Sequence, residues 1–215
     1  MTDNGWMSLI LPGVLVAPGL VESSDFRTEV GTEVPLALEI YCRHRARVSN
    51  QEGRQAPVRR SADAGTADEL ILTGVAVPFA STCRLGGWLL EVVGIPVYVT
   101  EATAGPGVIA GVNDRDPDSD PEEPLPDRGA WVRVRGSVSV ADGYVVDEVE
   151  RASQRSVQRL WRVQRIERLM PTDYRSGNRR AYPQQVEAVR HTGDSSSYLL
   201  DLVAAATAST VMERV

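Results

Sequence analysis

Four aspartates occupy every second position in one short stretch of the sequence. Residues 114–127 read DRDPDSDPEEPLPD and hold seven acids and one arginine. A calcium loop of the EF-hand type needs glycine at its sixth position and glutamate at its twelfth, because the glycine makes a sharp turn and the glutamate completes the coordination of the ion. Counted from Asp114, those positions hold Ser119 and Leu125. The stretch therefore predicts no metal site, and it is typical of a solvated acidic loop or of a contact surface for arginines.

The cysteines and histidines are the next candidates for metal or nucleophile chemistry. The chain has four of them, namely Cys42, His44, Cys83 and His191. Four such side chains can ligate zinc, but the paired spacings of zinc sites are missing from the sequence. Cys42 and His44 are expected on one buried face of a strand, and two free thiols are typical of a reducing compartment. The sequence predicts neither a metal nor a cofactor.

Catalytic motifs are the third possibility. No nucleophile, base and orienting group have the spacing of a known motif, and the glycine-rich stretch at residues 105–111 runs into the acidic loop, whose charge would repel phosphate. These features favour a non-catalytic protein. An enzyme stays open as an alternative, because an active site assembled from distant residues leaves no motif in the sequence.

Arginines and aromatic residues follow two alternating stretches, residues 34–48 and 131–140. The side expected to face the core holds Val34, Leu36, Leu38, Ile40, Cys42, His44, Ala46 and Val48 in the first stretch and Val132, Val134, Val138 and Val140 in the second. The opposite side holds Tyr41, Arg43, Arg45 and Arg47, together with Trp131, Arg133 and Arg135. Rings and guanidinium groups stack on bases and pair with anions, so two neighbouring strands of this kind predict a binding face.

A third basic group lies further along the chain. On a helical wheel, residues 151–165 place all their arginines within one arc and their apolar residues opposite. The arginines are Arg151, Arg155, Arg159, Arg162 and Arg165. This pattern predicts a basic amphipathic helix, with a last strand as the alternative, and Arg155, Arg159 and Arg162 are its candidate binding residues.

The elements that must position these residues predict a mainly β protein. Besides the two alternating stretches, strands are expected near residues 7–20, 70–79 and 88–100, and residues 131–149 are expected to form a hairpin. About six strands suffice for a small antiparallel barrel or sandwich, of which an OB-like barrel is one form.

The organisation of the chain follows from these elements. We expect a β-rich core domain over residues 1–150, with mobile loops at 49–69 and 101–130, because both stretches exceed the length of ordinary connections. Residues 151–215 are expected to form a helical region packed on that core. Its last helix would begin near Asp194 or Ser195 and carry the apolar stripe Leu199, Leu200, Val203 and Ala206.

Charge is segregated along the chain. The net charge is −6 and every one of the 23 basic residues is arginine, yet residues 43–60 hold six arginines and one acid, whereas residues 101–127 hold eight acids and one arginine. Such segregation favours a protein-interaction module that docks through its acidic and basic surfaces. Binding of single-stranded nucleic acid by the Tyr, Trp and Arg strand face is the alternative.

The apolar start of the chain lacks both the cationic flank of a signal peptide and the length of a membrane span. We therefore expect a cytoplasmic protein without a membrane partner. The oligomeric state stays open.

Overall fold

The computed structural model describes residues 9–24, 26–60, 69–101, 124–169, 183–193 and 195–205. Strands dominate these ranges. They are β1 (Ile10–Val16), β2 (Thr28–Glu29), β3 (Glu33–Leu36), β4 (Leu38–Arg47), β5 (Val58–Arg60), β6 (Glu69–Val77), β7 (Trp88–Val92), β8 (Ile95–Glu101), β9 (Trp131–Val140), β10 (Arg159–Leu169), β11 (Pro183–Val186), β12 (Ala188–Val189) and β13 (Ser197–Ala204). The helices are α1 (Pro18–Ser23), α2 (Asn50–Gln55) and α3 (Gly143–Ser153). Among the described residues, no helix has the length and apolar character that crossing a bilayer requires.

Five strands close into a barrel, which confirms the predicted small β-barrel. Strand β4 pairs with β9, β9 with β6, β6 with β7 and β7 with β8, all antiparallel. Strand β8 then closes the barrel by pairing parallel to β4. The cyclic order β6-β7-β8-β4-β9, with one parallel pair, is the pairing order of the OB-fold with its last strand placed before the others in the sequence. The barrel interior is filled by buried aliphatic side chains and the indole of Trp88.

A β-bulge at Arg43 changes which side chains point into the barrel. Cys42 lies opposite Gly136, but the next pair along the two strands is His44 with Arg135. The extra residue inverts the alternation, so the predicted orientation is wrong from His44 onward: Arg45 and Arg47 lie on the inner side, opposite Val134 and Val132, whereas His44 and Ala46 lie on the outer side. A side chain at Gly136 could not be accommodated, because an added Cβ would lie 1.9 Å from the carbonyl oxygen of Tyr41.

A second group of strands continues the sheet beyond the barrel. Strand β13 lies between β1 and β10, and β1 also contacts β9 of the barrel. Ile10 at the start of β1 lies opposite Val203 near the end of β13. The inner face of these strands is apolar, with Trp161, Val163, Ile166, Tyr198, Leu200 and Leu202 buried. Strand β3 pairs with the beginning of β10, so strands from the start and the end of the chain share one sheet.

Both helices predicted in the C-terminal third are wrong for the described residues, and the alternative of a last strand is confirmed for the first of them. Residues 159–169 form β10, and a register shift between Val163 and Arg165 gives its buried residues a spacing that resembles a helical stripe. Three residues of the stripe predicted after Asp194 belong to β13, namely Leu199, Leu200 and Val203, whereas Ala206 lies outside the described residues. Leu199 and Leu200 are both buried although they lie on opposite faces of the strand. A strand that is apolar on both faces hides the two-residue period from which strands are recognised. The predicted division of the chain at residue 150 stays a prediction.

Three local predictions also need correction. The second arm of the predicted hairpin at 131–149 is helix α3, whose first turn is capped by the Asp142 carboxylate accepting the Val145 N–H at 2.8 Å. Residues 88–100 form two strands joined at Val93 and Gly94, which both have positive φ, as a two-residue hairpin turn requires. The first predicted loop contains α2 and β5, whereas most of the second, residues 102–123, lies outside the described residues.

Helix α3 covers the outer side of two barrel strands. Val146 and Val149 of the helix form one buried cluster with Leu89 of β7 and Tyr98 of β8. The Tyr98 hydroxyl donates to the carbonyl oxygens of residues 85 and 86. The outer surfaces of β7 and β8 are therefore occupied by the chain itself.

Candidate functional site

The outer surface of β4, β9, β6 and β5 carries a cluster of basic side chains that we call the basic face. It consists of Arg43, His44, Arg59, Arg133 and Arg135. Arg59 lies opposite Ile71, Ile71 opposite Arg135, and Arg135 opposite His44, so one row crosses four strands. Residues directly opposite each other on neighbouring strands point to the same side of a sheet. The basic face therefore includes positive side chains from three separate strands, β5, β9 and β4.

One buried acid organises part of the basic face. The Glu69 side chain is 2% exposed and lies between two arginines: Oε1 is 3.0 Å from Nη1 of Arg43, and Oε2 accepts from Nε of Arg135 at 2.8 Å. Glu69 lies opposite Ser137, which in turn lies opposite Tyr41. Because both arginines form ion pairs with the same carboxylate, their guanidinium groups are held beside each other, and the basic face keeps an excess of positive charge.

Helix α2 borders the basic face beside Trp131. An ideal Cβ on Gly53 would lie 2.1 Å from the Trp131 ring, so the helix backbone rests directly on the indole. Ser49 and Glu52 form a capping box at the start of α2. Hydrogen bonds from the backbone and side chain of Ser49 lower the pKa of Glu52, and the charge of Arg133 lowers it further. Helix α2 therefore covers the ring of Trp131, which was predicted to face a ligand, and brings the ionised Glu52 close to Arg133.

Two of the predicted binding arginines do not belong to the basic face. Arg45 has a side chain that is only 9% exposed, with Nη1 3.1 Å from Oε1 of Glu101. Its Nη2 donates to the carbonyl oxygen of Pro124 at 3.0 Å, and Trp88 Nε1 donates to the same Glu101 oxygen at 2.7 Å. Arg47 forms an ion pair with Asp127 at the surface. The described end of the acidic stretch, residues 124–127, therefore contacts these two arginines.

The three arginines predicted on a basic helix are not brought together on one surface. Arg155 follows α3, with Nη1 3.8 Å from Oε1 of Glu91. Arg159 donates to the backbone carbonyls of residues 156 and 158. Arg162 is exposed on β10 opposite Val203. Because successive residues of a strand alternate in direction, Arg159 and Arg162 point to opposite sides of β10.

Five of the binding residues predicted on β4 and β9 lie on the outer surface, namely Tyr41, Arg43, Trp131, Arg133 and Arg135. Tyr41 is 36% exposed. The sequence prediction missed His44 and Arg59. A glycine inside an alternating strand indicates a bulge or a close backbone approach, so Gly136 was the available signal for the reversal that exposes His44. Arg59 lies on a strand of three residues, which is too short for alternation to be recognised.

The titratable groups beneath α3 form a separate cluster. Burial raises the pKa of the Glu39 carboxyl, the hydrogen bond from the Ser139 hydroxyl lowers it, and the nearby Asp142 raises it. Burial also raises the pKa of Tyr98 to about 12. Cys42 is buried inside the barrel while His44 is exposed outside it, so the expectation that they share one face was wrong. Within the described ranges, no three potential metal ligands are grouped.

The chain matches no protein-family model, and comparisons with curated proteins and with solved structures return no match.

Proposed function

We propose that this chain is a non-catalytic, cytoplasmic protein-interaction module that docks an acidic partner on its basic face. The observation that carries the proposal is the grouping of four arginines and an exposed histidine on one outer surface around the single buried Glu69. Such a surface attracts a partner of opposite charge and sets its orientation. The free thiols Cys42 and Cys83 agree with a reducing compartment.

The placement of the aromatic rings favours a protein partner over a nucleic acid. Stacking on rings supplies much of the affinity for single strands. Trp131 lies under α2, and Tyr98 lies under α3 on the strands that correspond to the ligand-binding strands of an OB-fold. On the described strands of the basic face, Tyr41 is the ring that remains accessible. The surface offers guanidinium groups for carboxylates but few platforms for bases.

Binding of single-stranded nucleic acid is the second candidate. Its support is Tyr41 beside Arg43, together with the pairing order that the barrel shares with the OB-fold. Phosphate contacts would make this binding strongly dependent on salt, so salt dependence alone does not separate the two candidates. The two candidate functions are separated by the identity of the ligand that binds.

Fluorescence anisotropy with two labelled probes tests the proposal. The probes are a glutamate decapeptide and an oligothymidylate of similar charge, each titrated with the full chain at low and at high salt. We expect the peptide to bind at low salt and to be weakened by salt. Tighter binding of the oligothymidylate would favour the nucleic-acid candidate, and absence of binding to either probe at low salt would overturn both.

Charge reversal locates the interaction on the surface. The double variant Arg59→Glu/Arg133→Glu leaves both Glu69 ion pairs intact and should weaken peptide binding about tenfold or more, because two attractive exposed pairs become repulsive. The matched control is Arg162→Glu/Arg190→Glu, which changes the net charge equally at exposed positions outside the basic face. Equal losses in both variants would mean that only the net charge matters and that the basic face is not the interface.

A further inference from the structure

We infer that the basic face takes an extended segment of the partner, laid along β9, with carboxylates at every second residue. The inference rests on the proposed function and specifies the class of ligand that this surface fits. It follows from the spacing of the arginines on β9 and from the position of α2.

The spacing of the arginines on β9 selects the spacing of the acids. Arg133 and Arg135 both point to the outer side of the sheet, because one residue separates them on a regular strand. Two residues of a strand span about 6.8 Å, which is also the distance between alternate side chains of an extended ligand. Adjacent acids on such a ligand point to opposite sides, so only every second acid can face the arginines.

Helix α2 closes one end of β9 on the basic face. Trp131, which lies two residues before Arg133 on β9, is covered by Gly53. A ligand that follows β9 must therefore start beside α2 and run past Arg133 and Arg135 toward Ser137. A helical ligand fits this spacing less well, because the acids on one face of a helix are three or four residues apart. A helix is also about 10 Å across, so its acids would reach the guanidinium groups on neighbouring strands only from the edge of the helix.

The experiment compares two peptides of identical composition. One has four aspartates at every second position with serines between them, and the other has the four aspartates adjacent. Each is titrated by anisotropy with the full wild-type chain at low salt. An exposed ion pair contributes roughly twofold to affinity, and the adjacent arrangement turns two of the four acids away from the sheet. We expect the alternating peptide to bind about fourfold more tightly.

The variant Arg133→Ala tests the placement along β9. It removes one of the two spaced arginines without touching the Glu69 ion pairs, so the preference for the alternating peptide should fall by about half. The control Arg162→Ala lies on β10, which does not pair with β4, β6 or β9, and should keep the full preference. Thermal melts of both variants establish that they are folded.

The outcomes separate this inference from the proposed function. If both peptides bind equally and Arg59→Glu/Arg133→Glu abolishes binding, docking on the basic face stands and the extended, alternating ligand is refuted. A preference that survives intact in Arg133→Ala refutes the placement along β9. If neither peptide binds while the oligothymidylate does, the proposed function itself fails.

Discussion

Replacing Gly136 by alanine tests the bulge that decides which arginines face outward. The new Cβ would lie 1.9 Å from the carbonyl oxygen of Tyr41 and 2.8 Å from its carbonyl carbon, so β4 and β9 must separate by more than 1 Å to restore ordinary contact. Such overpacking costs about 1–3 kcal/mol, and about 1 kcal/mol is lost for each ladder hydrogen bond that breaks. The lower entropy of the unfolded alanine chain offsets about 0.5 kcal/mol. We expect a net loss of about 3 kcal/mol in the free energy of unfolding.

Urea unfolding followed by tryptophan fluorescence measures this loss, with Gly143→Ala as the matched control. Gly143 begins α3, and a Cβ added there would have no other atom within 4 Å, so the same substitution should leave stability unchanged or raise it by up to about 0.5 kcal/mol. If Gly136→Ala is as stable as the wild type, β4 does not approach β9 as described. The inward direction of Arg45 and the outward direction of His44 would then be refuted with it.

Three further predictions concern the groups around the barrel. Burial raises the pKa of Glu39 in the folded state, so the stability contributed by its protonated carboxyl is fully present below the ordinary pKa and is lost as pH rises through the raised pKa. Glu39→Gln should therefore increase the free energy of unfolding at pH 7. A stabilisation that persists unchanged at pH 3 would contradict this prediction. Asp142→Ala should lower stability by about 1 kcal/mol in urea unfolding, since the cap of α3 is lost, and an unchanged midpoint would contradict the cap. Arg45→Met should lower the free energy of unfolding by about 3 kcal/mol, because the almost buried Glu101 carboxylate loses its cation. Arg47 is exposed, so Arg47→Met should change the free energy of unfolding by less than about 1 kcal/mol. Similar losses in the two variants would contradict the difference in burial.

The barrel strands were predictable where alternation is uninterrupted. Between Leu38 and Cys42, and throughout β9, every second side chain is buried, as the pattern indicated. The prediction fails at the first inserted residue, because one extra residue exchanges the two faces for the rest of a strand. The same cause makes β10 resemble a helix, since its insertion near Arg165 places buried residues three positions apart. The spacing of apolar residues along one strand does not show which residues of the neighbouring strand lie opposite. An inserted residue is visible only in that pairing.

The basic face was predicted in part. Arg43, Arg133 and Arg135 lie where alternation placed them, and β4 neighbours β9 as the binding face required. The contact of Gly53 with Trp131 was beyond prediction, because it depends on how a six-residue helix folds back over a strand almost eighty residues later. The selection of Glu69 as the partner of two arginines depends in the same way on the register between β6 and β9.

The pairing of Ile10 with Val203 has a consequence for the order of folding. Strand β1 forms most of its ladder with β13, which follows it by almost the whole length of the chain. During synthesis, β1 leaves the ribosome long before β13 exists, and its hydrogen-bonding groups stay unsatisfied by their main partner until β13 has also been synthesised. Contacts of such wide sequence separation slow folding, since a large loop must close before they form. The barrel, whose strands all precede residue 141, can assemble first and serve as the template on which this last part of the sheet condenses.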